Sequence, residues 1–167
     1  LTLDSGADAA ADITVDSLTG DGTLTVRDSG DVTFTNGVAA STVTLTNTTG
    51  TVEFGGDTTI SAGLVTASQA YGVSFLGSAN SVAGDTSFLN TGLITLGNGG
   101  DSITFADGLD TTLSSTSIGG TVVTTNSQMD LGAVTLTATS ELDSGTAATS
   151  LINVGAVTGA GFGVTLD

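Results

Sequence analysis

One three-residue unit returns about every 30 residues along the whole chain: Ile13-Thr14-Val15, Val43-Thr44-Leu45, Val73-Ser74-Phe75, Ile103-Thr104-Phe105, Val134-Thr135-Leu136 and Val164-Thr165-Leu166. Each copy is apolar, small hydroxyl, apolar. In a strand, successive side chains point to opposite faces, so the outer two residues share one face and the Thr or Ser takes the other. A fixed period of this size is the mark of stacked repeats, each unable to bury its apolar face alone. Between the copies lie weaker strand signals, among them Leu24-Thr25-Val26, Val32-Thr33-Phe34, Val52-Glu53-Phe54, Ile94-Thr95-Leu96 and Ile152-Asn153-Val154. The elementary spacing is therefore about 10 residues, a short strand plus a turn. A two-sided coil of about 20 residues fits that spacing too. A period of about 30 is preferred because only that phase gathers the six triplets into one column. At the shorter phase, Val52-Glu53-Phe54 shares a column with Leu113-Ser114-Ser115. The expectation is one all-β domain over residues 1–167: a right-handed, three-sided parallel β-solenoid of about five coils. An antiparallel β-sandwich competes, because Asn36-Gly37 or Gly97-Asn98 could close hairpins.

The formal charge of −16, with a single Lys or Arg, would suit a disordered chain, but 38% hydrophobic residues and a mean hydropathy of +0.37 do not. Thr and Val favour strands, and the good helix formers are scarce. The Ala-rich run Ala7 to Ala11 is too short and too flanked by Asp for a helix. Gly, Asn, Asp and Ser cluster between the strands, as tight turns require. No Cys is present, which suits a secreted bacterial product at least as well as a cytosolic one. Neither a signal peptide nor a membrane-spanning run appears, so any targeting segment is expected to lie outside the sequence or to have been removed. Leu1-Thr2-Leu3 and Val164-Thr165-Leu166 read as strands without polar caps, and such open ends invite pairing with another strand.

Catalysis is not expected. Without His, Cys or Lys there is no imidazole base, thiol nucleophile or Schiff-base amine. Asp107 and Asp110 could serve as a carboxylate pair for glycoside hydrolysis. Sugar clefts, however, usually stack sugars on aromatic side chains, and this chain has no Trp and one Tyr, Tyr71. Nucleic acid and anionic membrane surfaces are disfavoured by the negative charge. Two readings concern the turns and the outward faces. Thr14, Thr44, Ser74, Thr104, Thr135 and Thr165 are expected to form one outward ladder at about 4.8 Å spacing. The row Thr42-Val43-Thr44-Leu45-Thr46 raises ice binding as a minor alternative, although Asp12, Asp16, Gly72 and Leu76 interrupt the array on other coils. Asn36, Asn98 and Asn126 suggest a partial ladder of turn amides, broken by Ser68.

The stretch Gly97-Asn98-Gly99-Gly100-Asp101-Ser102-Ile103 resembles the calcium-binding nonapeptide of RTX proteins, with Leu96 in place of the first Gly. In that family, turn carbonyls and the Asp carboxylate hold Ca²⁺. The resemblance implies Gly97, Gly99 and Asp101 as ligands, and Asp107 and Asp110 add oxygen donors nearby. Calcium is the one cofactor in view. More broadly, Asp-Gly-Thr-Leu-Thr-Val (21–26), Gly-Asp-Val-Thr-Phe-Thr-Asn-Gly (30–37) and Gly-Asp-Ser-Ile-Thr-Phe (100–105) resemble the repeats of large bacterial surface proteins. These are the adhesin and autotransporter-type β-solenoids and the RTX-linked surface-layer proteins. The resemblance implies export to the bacterial cell surface and a structural or adhesive role. The expected function is thus an extracellular structural protein that self-assembles into a filament or surface layer. The contacts expected are Leu1, Thr2, Leu3, Val164, Thr165 and Leu166, with Arg27, the only cation, as a salt-bridge candidate. A stalk segment of a larger secreted adhesin is the competing reading. The partners in view are a second copy of the chain and cell-surface polysaccharide.

Overall fold

A computed structural model describes residues 1–6 and 11–167. The Ala-rich run at 7–11 thus lies, but for Ala11, outside the described residues. Every regular element among them is a β-strand, and the strand pairings are parallel. The chain winds as a β-solenoid of about eight turns with about 21 residues per turn.

The pairings within the 16-stranded sheet fall into three series. The first runs through Ile13–Val15, Val32–Phe34, Thr51–Phe54 and Gly72–Phe75. It continues through the opening of Ile94–Phe105, the opening of Thr116–Thr124, then Val134–Leu136 and Val157–Thr158. The second begins at Leu18–Thr19, takes the opening halves of Val38–Leu45 and Thr58–Thr66, and passes through Ala79–Val82. It closes with the last parts of Ile94–Phe105 and Thr116–Thr124, then Ser140–Asp143 and Val164–Leu166. The third links Thr2–Asp4, Thr23–Arg27 and the closing halves of Val38–Leu45 and Thr58–Thr66. A separate four-stranded sheet follows: Thr86–Ser87, Leu109–Asp110, Met129–Leu131 and Ile152–Val154. Where the two meet, the buried hydroxyl of Thr66 donates to the Ser87 carbonyl at 3.3 Å and accepts from the Leu89 amide at 2.8 Å. A side chain thus does there what backbone pairing does elsewhere.

The coil of about 21 residues corrects the expected size of about 30 and the expected count of five. The pleat is the reason. Inward–outward–inward alternation is common to all strands, so it marks a strand without saying which series the strand joins. Thirty residues is about one and a half coils. The six triplets therefore fall in different series: Ile13, Val73 and Val134 in the first, Ile103 and Val164 in the second, Val43 in the third.

The core lies between the series. Stacking places Phe34 on Phe54 and Phe54 on Phe75, with ring centroids 5.3 and 4.8 Å apart and rings nearly parallel. Phe105 of the second series meets Phe75 edge-on at 6.4 Å, and Phe88 meets Phe105 likewise at 6.1 Å. Such pairs contribute roughly 0.5–1.5 kcal/mol beyond the area they bury. Tyr71 is fully buried; its hydroxyl donates to the Leu45 carbonyl at 3.0 Å and accepts from the Ala67 amide at 2.8 Å.

Candidate functional site

The residues expected around calcium divide between two places. Gly97, Gly99 and Asp101 sit in a bulge inside Ile94–Phe105. The pairing register with the next strand steps there from Leu96↔Ile118 to Asp101↔Gly120. Four residues thus oppose one, which re-aims the chain between two series. The Asp101 carboxylate closes the bulge by accepting from the Asn98 amide at 2.7 Å. Asp107 and Asp110 lie instead in a polar depression of about 240 Å³. Its other lining residues are Asp85, Ser87, Gly108, Leu109, Gln128 and Asp130.

Register explains the depression. Ser87, Asp110, Asp130 and Asn153 face outward on successive strands of the four-stranded sheet. Like charges directly opposite one another repel. The amides around them offset this: Asn153 Nδ2 donates to Asp130 Oδ1 at 2.7 Å and Gln128 Nε2 donates to both Asp130 oxygens, at 2.9 and 2.8 Å. Asp110 accepts from the Thr112 amide and hydroxyl, at 2.8 and 2.6 Å. Among the described residues no three acidic side chains converge closely enough to hold a metal ion. Asp85 and Asp130 join this depression only through the 21-residue register, so a reading of local sequence does not reach them.

The polar ladders differ from those expected. The six triplet hydroxyls do not share a column: Thr44 stacks on Thr25 and Val65, while Thr104 stacks on Ser81 and Val123. The outward row of the first series is Thr14, Thr33, Glu53, Ser74, Thr95, Ser117, Thr135 and Thr158. Nor do Asn36, Asn98 and Asn126 stack on one another. Asn36 Nδ2 donates to Asp16 Oδ1 at 2.8 Å, and Asn126 Oδ1 accepts from the Thr146 and Ala147 amides. The ladder of turn amides that does form runs from Asp28 through Asn47 to Gln69. Asn47 Nδ2 donates to Asp28 and Gln69 Nε2 donates to Asn47 Oδ1 at 3.0 Å.

The expected assembly residues lie in the outermost coils. Val164 and Leu166 pair with Ser140 and Leu142, and Thr2 and Leu3 pair with Thr25 and Val26; the other edge of each of these strands has no partner among the described residues. Leu1 and Leu166 are exposed. Arg27 forms a surface ion pair with Asp4 at 2.8 Å.

Charge is unevenly distributed over the outward faces. From Ser74 onward, the outward row of the first series and its flanks carry no charged residue. The flanks are Leu93, Ser115 and Ala133 on one side and Gly97, Gly119 and Thr137 on the other. Before Ser74 the same face bears Asp12, Asp31 and Glu53. Exposed Leu93 and Leu113 adjoin the neutral portion. Comparison with protein-family models, with curated proteins and with solved structures returns no match.

Proposed function

We propose that this chain is an extracellular structural protein of the bacterial cell surface, a β-solenoid rod that self-assembles into a filament or surface layer. The observation that carries the reading is the neutral face of the first series from Ser74 to Thr158, on a chain whose formal charge is −16. Two copies meeting on any acidic face repel one another. On this face the exposed groups are uncharged: Leu93, Ser115, Ala133, Thr135, Thr137 and Thr158, with Ser74, Ser117, Gly97 and Gly119 buried between them. The outermost coils add a second route. Their inward residues Val157 and Leu166 are 45% and 58% exposed, whereas their counterparts Val134 and Leu142 are buried. A further coil in register would cover them, and a second copy supplies one through head-to-tail contact, a geometry that builds open polymers. A right-handed coil with three sides fits three pairing series joined by parallel crossovers. Calcium has a place in this scheme as a bridge between carboxylates of neighbouring copies, with Asp107 and Asp110 exposed to that role in their depression.

Electron microscopy of the purified protein with and without calcium tests the reading. Regular filaments or sheets are expected, and their dependence on calcium would put the ion in the contact. Monodisperse short rods in both conditions would overturn self-assembly and favour a stalk segment of a longer adhesin.

A further inference from the structure

Two Asn-Gly pairs occur in the chain, Asn36-Gly37 and Asn98-Gly99, and the fold treats them oppositely. An Asn followed by Gly is the pairing most prone to spontaneous deamidation, because the missing Cβ lets the Gly amide nitrogen approach the Asn side chain. That approach needs a free carboxamide and a backbone able to move.

Asn36-Gly37 has neither. Asn36 Nδ2 donates to Asp16 Oδ1 at 2.8 Å, and the Asn36 amide donates to the Asp16 carbonyl at 2.7 Å. The Gly37 carbonyl accepts from the Leu18 amide at 3.1 Å. The next coil lies against the pair so closely that a Cβ on Gly56 would stand 2.5 Å from the Asn36 carbonyl carbon. Asn98-Gly99 is the reverse case. Asn98 is exposed and its carboxamide has no hydrogen-bond partner among the described residues; the bond that holds the residue is from its backbone amide to Asp101. Residues 97–100 stand outside the pairing register. Gly99 takes φ +129, the nearest atom to a Cβ placed there is 3.9 Å away, and a Cβ on Gly119 of the next coil would stand 3.3 Å from the Asn98 carbonyl carbon, against 2.5 Å at the first pair.

We propose that Asn98 is a self-modification site of the native protein: it converts to aspartate and isoaspartate while Asn36 is held intact. The Gly99 amide nitrogen bonds to Asn98 Cγ and gives up its proton. The Cγ–Nδ2 bond breaks and ammonia leaves, so a cyclic imide joins the two residues. Water then adds to either ring carbonyl and opens the ring. Opening one way restores the ordinary backbone with a carboxylate on residue 98. Opening the other way routes the backbone through the side chain and lengthens it by one carbon. The bulge accommodates the longer path because no ladder pair spans it. Either product places a second carboxylate beside Asp101, in the surface that otherwise flanks the neutral face.

The test is incubation of the native protein at mildly alkaline pH, with peptide mapping by mass spectrometry at successive times and a parallel sample held unfolded in denaturant. In the native sample Asn98 is expected to convert at least about tenfold faster than Asn36, a difference of roughly 1.4 kcal/mol in barrier. In the unfolded sample the two rates are expected to come together. Equal native rates, or faster conversion at Asn36, would overturn the proposal. So would an advantage of Asn98 that persists undiminished in the unfolded chain, since local sequence and not the fold would then be the cause.

Discussion

The middle and the ends of the coil stack use the same alternation and bury very different amounts of it. Along the inward row of the first series the register reads Val15, Phe34, Phe54, Phe75, Leu96, Ile118 and Leu136. The three stacked Phe are fully buried. Val15 at one end is only partly covered, and at the other end Gly159 packs over Leu136 with no side chain of its own. Each coil buries its apolar row only against its neighbours, so a coil with one neighbour keeps half of its inward surface wet. The stability of the rod is therefore concentrated in the aromatic coils, and the terminal coils are its least stable part.

The largest effect that could break this contrast is at Phe54. Phe54→Ala removes both stacked contacts at a site with no exposure and is expected to cost about 3–5 kcal/mol in denaturant unfolding followed by circular dichroism. Leu166→Ala, in the last strand, is expected to cost less than about 1 kcal/mol in the same assay. Comparable losses would remove the distinction between middle and end.

A matched pair of glycines sharpens it. A Cβ on Gly56 would meet the Asn36 carbonyl carbon at 2.5 Å and the Gly37 nitrogen at 2.7 Å, whereas a Cβ on Gly20 in the first coil would meet nothing within 4 Å. Gly56→Ala is expected to cost about 1–3 kcal/mol through the forced separation of two coils. Gly20→Ala is expected to be neutral or to stabilise by up to about 1 kcal/mol, through the unfolded chain. Melting curves of the two variants decide the matter.

Titration provides two smaller tests. Burial pushes the Tyr71 hydroxyl above its ordinary value of 10.0, outweighing the hydrogen bond it accepts from the Ala67 amide and the nearby Thr66 hydroxyl. The folded state thus holds the proton more tightly than the unfolded state. The resulting stability is intact below about pH 10 and is lost as pH rises through the raised value. Tyrosinate absorbance should therefore appear together with loss of the strand signal, and absorbance rising well before unfolding would contradict the buried placement. Asp57 shifts the other way. The Ala79 amide and the Ser78 hydroxyl, each donating to Oδ1 at 3.0 Å, hold its carboxyl below the ordinary 3.8. Its contribution is present above that ordinary value and is lost as pH falls through the lowered one. Asp57→Asn should flatten the acid limb of the stability profile slightly and leave the neutral range nearly unchanged.

Sequence made strands legible and series illegible, for a physical reason. Ile13-Thr14-Val15 and Val43-Thr44-Leu45 look alike because each has one inward and one outward face, yet they belong to different series. A rarer row carries the true period: Val32-Thr33-Phe34, Val52-Glu53-Phe54 and Val73-Ser74-Phe75 stand 20 and 21 residues apart and stack directly. Stacked aromatics are informative because ring-on-ring packing requires in-register neighbours, which a generic Val or Thr does not. The acidic depression was half legible. Asp107 and Asp110 are close in sequence, while Asp85 and Asp130 reach them only through coils of 23 and 20 residues, from Thr86↔Leu109 and Leu109↔Met129. The neutral face was not legible at all, since it exists only once the first series is threaded correctly from Ser74 to Thr158.

Amide hydrogen exchange, measured peptide by peptide at several protein concentrations, tests the whole picture most directly. The strands Val32–Phe34, Thr51–Phe54 and Gly72–Phe75 should exchange slowly at every concentration. Thr2–Asp4, Val157–Thr158 and Val164–Leu166 should exchange fast in dilute protein and slow down as concentration rises, as neighbouring copies cover the terminal coils. Terminal strands that are as protected as the middle in dilute solution, or whose exchange ignores concentration, would contradict it.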